Sequence, residues 1–283
     1  VRLANPAIRK TWGFTLIEML VVLSIHALLA ALIVPALKNL GKANLTTGAT
    51  SQLLGDVGYA RQLAIANHTT VYMVFIPTNF WNNPAYNDPV SSAKWLNAVS
   101  SVQQWAIAAT NFADKQVNGY IYMAYGAVGD QPGNHRWHYL DIPRSLPDGT
   151  FIPLWKFVPP GYTNYITDMA SRWTYQVGGF NTNSVPFPTE TSPLLNMPCI
   201  AFNYLGQLTT APPQSPNPET QDEYIPLARG SVMPGIDPVS RALQFTPPAI
   251  SEVPPGNSTN SAYNIVQIDW LTGRATLRFQ NVQ

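Results

Sequence analysis

The sequence predicts an α+β fold: a long N-terminal helix, its first half transmembrane, packed on an antiparallel β-sheet domain, a ladle in outline. Three observations predict it. An apolar stretch from Phe14 to Leu37 gives way to a segment with apolar residues three to four apart as far as Ala64. Short strand-like runs follow at Thr69–Ile76, Ile200–Leu208 and Ile265–Leu277. With 26 prolines and 18 glycines among 283 residues and only 11% charged side chains, long loops are expected and a helical bundle is not.

The 24 residues from Phe14 to Leu37 would span roughly 36 Å as a helix, enough for a hydrocarbon core of about 30 Å. Inside that stretch stands one carboxylate, Glu18, whose burial in a bilayer costs about 2.5–3.5 kcal/mol on the lenient insertion scale. Arg2, Arg9 and Lys10 precede the stretch, and Lys38 and Lys42 follow it. The positive-inside bias then keeps the leader cytoplasmic and the long C-terminal part outside.

Gly13-Phe14-Thr15-Leu16-Ile17-Glu18 followed by an apolar helix resembles the class III signal of type IV pilins and type II secretion pseudopilins. The resemblance implies cleavage by a prepilin peptidase between Gly13 and Phe14, N-methylation of Phe14, and Glu18 as the assembly glutamate. It also makes Pro35 the helix-kinking proline, a residue that removes one backbone hydrogen bond wherever it sits in a helix. Four residues separate Phe14 from Glu18, about one turn, so the carboxylate faces its own terminal amine or a neighbour's. The implied partners are the prepilin peptidase, other pilin or pseudopilin subunits, the inner membrane and a secreted cargo. The implied location is a single-pass inner-membrane protein with a periplasmic C-terminal domain, assembled into a periplasmic or cell-surface filament. His26 departs from the family's apolar pattern. The competing reading is an ordinary secretory signal with Arg9 and Lys10 as its basic region and a cleavage site near Ala36, in which Glu18 sits badly.

Residues 1–13 thus read as leader, 14–37 as membrane and assembly helix, 38–68 as its amphipathic continuation, and 69–283 as the extracytoplasmic β-rich domain. In the continuation, Leu40, Leu45, Leu53, Leu54, Val57, Ala60, Leu63 and Ala64 repeat at helical spacing, and Asn67 and His68 mark its end. Gly41, Gly48 and Gly55 lie seven apart, near one face. They suit either close packing against neighbouring stems or a weak helix, each glycine costing about 1 kcal/mol relative to alanine.

Gly58-Tyr59-Ala60-Arg61-Gln62-Leu63-Ala64-Ile65-Ala66-Asn67 resembles the A-R-x-x-A-I pattern of the H-type minor pseudopilins. Ile200–Leu208, a strand with turn glycine Gly206, resembles that family's apolar strand, and Ile265–Leu277 resembles its closing hairpin, with Thr272-Gly273 in the turn. The resemblance fails between Ile76 and Leu195, leaving an insert at about 77–195. The insert holds Trp81, Trp95, Trp105, Trp137, Trp155 and Trp173. Ser92–Ala113 reads there as one helix with Trp95, Val99, Val102 and Ala106 on one side, and the insert is expected to elaborate one edge of the sheet. Gly119–Val128 and Thr174–Val177 read as strands, and Pro212–Pro218 and Pro247–Gly256 as exposed loops. Enlarged pilin-like chains also occur in multi-gene cassettes, the Verru_Chthon cassette proteins among them, and this chain fits that description as well.

Chemistry is sparse. Without Arg2, Arg9 and Lys10 the 16 basic residues become 13 against 15 acidic ones, a balance of −2 with no nucleic-acid footprint. His135 and His138, with Asp130 and Asp141 nearby, give two plausible ligands where a metal needs three or four. Nucleophile-elbow, paired-carboxylate and phosphate-loop motifs are missing, so neither an enzyme nor a cofactor is expected. Cys199 is the sole cysteine and reads as a buried small residue. Sequons at Asn44 and Asn67 carry no assigned role. Exposed tryptophans would favour the alternative function, a membrane-anchored extracytoplasmic protein that binds a glycan or protein, or an enzyme that uses a pilin-like signal.

Overall fold

The computed structural model describes residues 16–126, 135–158, 161–167, 174–210, 218–258 and 264–279, with the side chains of 30–46 and of Phe279 excepted. The chain divides into two units, residues 1–44 and 45–283. Helix α1, Leu16–Asn67, ends at His68, whose φ of 49° is the left-handed stop common just past a helix. Strand β1, Val71–Phe75, follows, then α2, Pro89–Val99, and α3, Val102–Asn111. Next come β2 (Gly119–Tyr125), β3 (Trp137–Tyr139), β4 (Arg144–Ser145), β5 (Thr150–Phe151), β6 (Thr163–Thr167) and β7 (Thr174–Gly178). The remaining strands are β8 (Asn181–Pro186), β9 (Leu194–Phe202), β10 (Glu223–Met233), β11 (Ala249–Glu252), β12 (Asn264–Ile268) and β13 (Ala275–Phe279).

These strands form two antiparallel sheets and a hairpin. The first sheet has the order β3-β2-β1-β9-β8, with β4 also paired to β2. The second has the order β11-β10-β12-β13, with β5 also paired to β10, while β6 and β7 pair only with each other. In β1 every residue is buried. Val71, Met73 and Phe75 point to one face, where they meet Leu53, Val57, Ala60 and Ala64 of α1 and Ile225, Leu227, Val266 and Ile268 of the second sheet. Tyr72, Val74 and Ile76 point to the other, where Phe80, Trp81, Trp95, Val99, Phe112 and Phe187 cover them. A strand covered on both faces has no polar side to alternate with, so it reads as a continuous apolar run.

The expected transmembrane shaft is overturned: among the described residues no helix is long and apolar enough to cross a membrane. The first stretch with described side chains, residues 16 to 29, holds 14 residues including Glu18. At 1.5 Å each it spans about 21 Å, short of a core of about 30 Å. The long membrane-crossing helix of the ladle is therefore not borne out. The supported class is α+β with antiparallel sheets, against which the helix from Ala49 onward is packed.

The insert is also placed differently. It supplies β2, in the interior of the first sheet, together with β3, β4 and β8, and its helices cover a whole face instead of trimming an edge. The single helix expected over Ser92–Ala113 is two helices, broken where Ser100 Oγ donates to Asn97 O at 2.7 Å. Serine hydroxyls compete with the helix for backbone groups in this way. Trp95 and Val99 are buried as expected, but Val102 is 89% exposed, because the second helix restarts with a different face inward. Within Pro247–Gly256, residues 249–252 form edge strand β11 on β10 and not a loop. Of the expected loop Pro212–Pro218, residues 212–217 lie outside the described residues, as does the end of Gly119–Val128.

Candidate functional site

Of the residues singled out for processing and assembly, Gly13 and Phe14 lie outside the described residues, and so does the side chain of Pro35. Glu18 stands in the first turn of α1, exposed, among apolar neighbours that are also exposed, from 42% at Val22 to 84% at Leu16. No side of this stretch is buried. The His26 ring bonds its own helix, Nδ1 lying 2.8 Å from Val22 O. Gly48 and Gly55 face open space, since a Cβ at either would meet nothing within 4 Å.

Past Ala49 the helix behaves differently, and here the three family-like segments converge. Arg61, in the A-R-x-x-A-I segment, donates from Nε to Thr272 O at 2.7 Å, reaching the turn between β12 and β13. That turn is held by Asp269, which accepts from the Thr272 backbone N–H and hydroxyl at 2.7 Å each. Gly206, in the turn after β9, has a φ of +80°, and a Cβ there would lie 2.9 Å from Ile65 Cδ1 and 3.0 Å from Arg61 Nε. A Cβ on Gly273 would come within 2.0 Å of Gly206 O. Leu208 N–H closes the junction on Trp270 O at 3.0 Å. Glycine is needed at both turns, for positive φ and for close approach.

A second fastening was not read from the sequence. Asp56, 6% exposed, lies on the buried side of α1 and accepts from Arg144 at 2.5 Å and from the Tyr120 hydroxyl. Arg144 also donates to Asp141 at 2.6 Å and lies over the rings of Tyr59 and Tyr122, 5.0 and 5.5 Å from their centroids. Tyr122 donates to the Asp56 backbone oxygen at 3.1 Å. Burial, with Asp56 adjacent, pushes both tyrosine hydroxyls above their ordinary pKa. One signal was present in the sequence: Asp56 interrupts an apolar row, between Leu53 and Val57 and four residues before Ala60. A charge there needs a partner.

The remaining candidates are structural. Trp81 and Trp95 are core residues, Trp105 stacks on Phe245 at 3.8 Å, and Trp155 donates to Ser258 O at 2.8 Å. Trp137 packs beside Tyr72 and Tyr125, and Trp173 lies outside the described residues. Among the described residues these rings pack in the protein, and none of the tryptophans is exposed as the alternative glycan- or protein-binding reading requires. Asp141 is committed to Arg144, Asp130 is outside the described residues, and no cluster suited to a metal ion occurs among the described residues. Cys199 is buried, which pushes its thiol pKa up to about 12, away from nucleophile chemistry.

No family model matches this chain, and no curated protein or solved structure is significantly similar to it.

Proposed function

We propose that the chain is a pilin-like structural subunit of the minor pseudopilin kind, cleaved after Gly13 by a prepilin peptidase and assembled through its N-terminal helix. It would enter a type II secretion pseudopilus or a pilus-like filament outside the cytoplasm, and it has no catalytic task. The observation that carries the proposal is the convergence at Arg61. Three short segments, chosen only for resemblance to one family and lying at 58–67, 200–208 and 265–277, meet at one junction. The exposed apolar start of α1 supports the same reading, because 14 residues without a buried face need other chains around them. In this proposal Glu18 pairs with an amine at Phe14, its own or a neighbour's, and the described residues need not cross a membrane.

Intact-protein mass spectrometry of the material purified from its native host tests the proposal. A mature N-terminus at Phe14, methylated or not, is expected. A mature N-terminus near Lys38 would end the assembly reading, because Glu18 and the helix start would then be absent from the finished protein.

A further inference from the structure

Beside the second sheet, wholly within residues 45–283, is a cleft of about 250 Å³. One water needs about 10–15 Å³ by the same measure, so the cleft has room for a side chain or a small organic molecule. The β6–β7 hairpin forms one wall, with Tyr162, Thr163 and Gln176, and Glu219, Gln221 and Glu223 stand on the other side.

Among the described residues the charge lining this cleft is unbalanced. Glu219, Asp222 and Glu223 all line it, and the cation that meets Glu223 is Lys156, which is 1% exposed. Lys156 is already engaged: its Nζ donates to Glu223 and, at 2.7 Å, to Gly178 O, and lies 4.5 Å from the Phe180 ring centroid. Asp222 accepts from the Gln267 amide and from Trp270 N–H at 3.0 Å. Glu219 is met by a neutral group, the Asn181 amide, at 2.5 Å. Burial, and then the charge of Glu223, raise the Glu219 carboxyl above its usual range, and among the described residues no cation is paired with it. Arg278 is bonded to Gln267 and does not line the cleft.

The walls otherwise carry amide and hydroxyl groups, each with an acceptor oxygen. The amides of Gln176 and Gln221 are exposed, and the Tyr162 ring is 50% exposed at the rim. A planar cation with five N–H donors suits such a lining: it can take the Glu219 carboxylate and an amide oxygen in one plane and lie against the tyrosine face. A metal ion suits it less, since the described residues hold no group of three His, Cys, Asp or Glu placed to ligate one. We propose that this cleft is a binding site for a guanidinium group, presented by an arginine side chain or by a small free guanidine. The inference stands apart from the assembly reading and uses none of the N-terminal residues.

Titration calorimetry on the full chain decides it, with N-acetyl-arginine amide, its neutral isostere N-acetyl-citrulline amide, and a short glycine peptide with one central arginine. The arginine amide should bind saturably, and the citrulline amide at least about tenfold more weakly, as expected when a hydrogen bond to a charged partner is lost. Glu219→Gln keeps an acceptor for Asn181 and should weaken arginine binding by about tenfold with an unchanged circular dichroism spectrum. Gln176→Ala, on the exposed hairpin wall, should weaken it by a smaller factor and cannot disturb the core. Tighter binding of the peptide than of the amide assigns the site to a protein partner, and equal binding assigns it to a free guanidine. No saturable binding of either arginine probe, equal binding of citrulline, or indifference to Glu219→Gln overturns the proposal.

Discussion

The two faces of the first sheet are buried by different means. On the face toward α1, apolar packing is stitched by polar fastenings: Asp56 to Arg144 and Tyr120, Gln52 to Tyr120 and Ser145 O, Asn264 to Thr50, and Arg61 to Thr272. On the opposite face, aromatic rings pack on one another, Phe80 against Trp81, Trp95, Phe187 and Phe245 at 4.9–6.4 Å, with one buried indole N–H satisfied by Phe187 O. The difference teaches how an insert becomes part of a fold. A helix has one register on a sheet, and directional bonds to a few partners hold it. A covering layer of loops and short helices has no such register, and large rings supply its contact area.

Three experiments bear on that contrast. The largest effect belongs to Trp95→Ala. The ring is 1% exposed and its indole donates to Phe187 O at 2.8 Å, so a loss of about 3–5 kcal/mol is expected in urea unfolding. A loss under about 1 kcal/mol would mean that the aromatic layer peels from the sheet without unfolding it. Next is Asp56→Ala, which strips the acceptor from the Tyr120 hydroxyl, leaving it Gln52 as a donor, and one of two carboxylate partners from Arg144. About 2–3 kcal/mol is expected, moderated because Arg144 is one-third exposed and keeps Asp141. Asp56→Asn should cost less, and a cost for Asp56→Ala above that of Trp95→Ala would reverse the comparison.

The smallest effect is a pH dependence at the turn that Arg61 grips. The Thr272 hydroxyl, then its backbone N–H, hold the Asp269 carboxyl below the usual aspartate range. A depressed folded-state pKa contributes stability above the unfolded pKa, and that contribution fades as pH falls through the folded value. Asp269→Asn should therefore lower the urea midpoint slightly near neutrality, with the two proteins converging in acid. Parallel curves down to the acid limb would remove Asp269 from the fastening.

The sequence made the hydrophobic geometry legible and left the polar geometry hidden. The helix end at Asn67, β1, the end of β9 from Ile200 and the closing hairpin were readable from apolar period and turn glycines, since each is local, whereas the start of β9 at Leu194 was not. The first half of α1 misled: an apolar run looks alike whether lipid or other chains surround it, and the described stretch from 16 to 29 is too short to settle on lipid. The insert misled for another reason. Its tryptophans signalled burial more than binding but not where they are buried, which the sheet's second bare face, visible in β1 as Val71 to Phe75 without alternation, supplies. Arg144 was illegible, because nothing near it in the chain announces Asp56, 88 residues earlier. The Glu219 cleft was hidden likewise, its walls coming from segments that no motif links.

The contact between Arg61 and Thr272 closes a loop of 211 residues. A ribosome adds about 5–20 residues per second, so the arginine is made roughly 10–40 s before its acceptor. Through that interval the inward side of α1, Leu53 to Ala64, has β1 and then β2 beside it but not β12, which supplies Val266 and Ile268. The core of this unit cannot be completed before then: the early helix waits half-dressed for the β12–β13 hairpin, and any factor that guards it has at least those seconds in which to act.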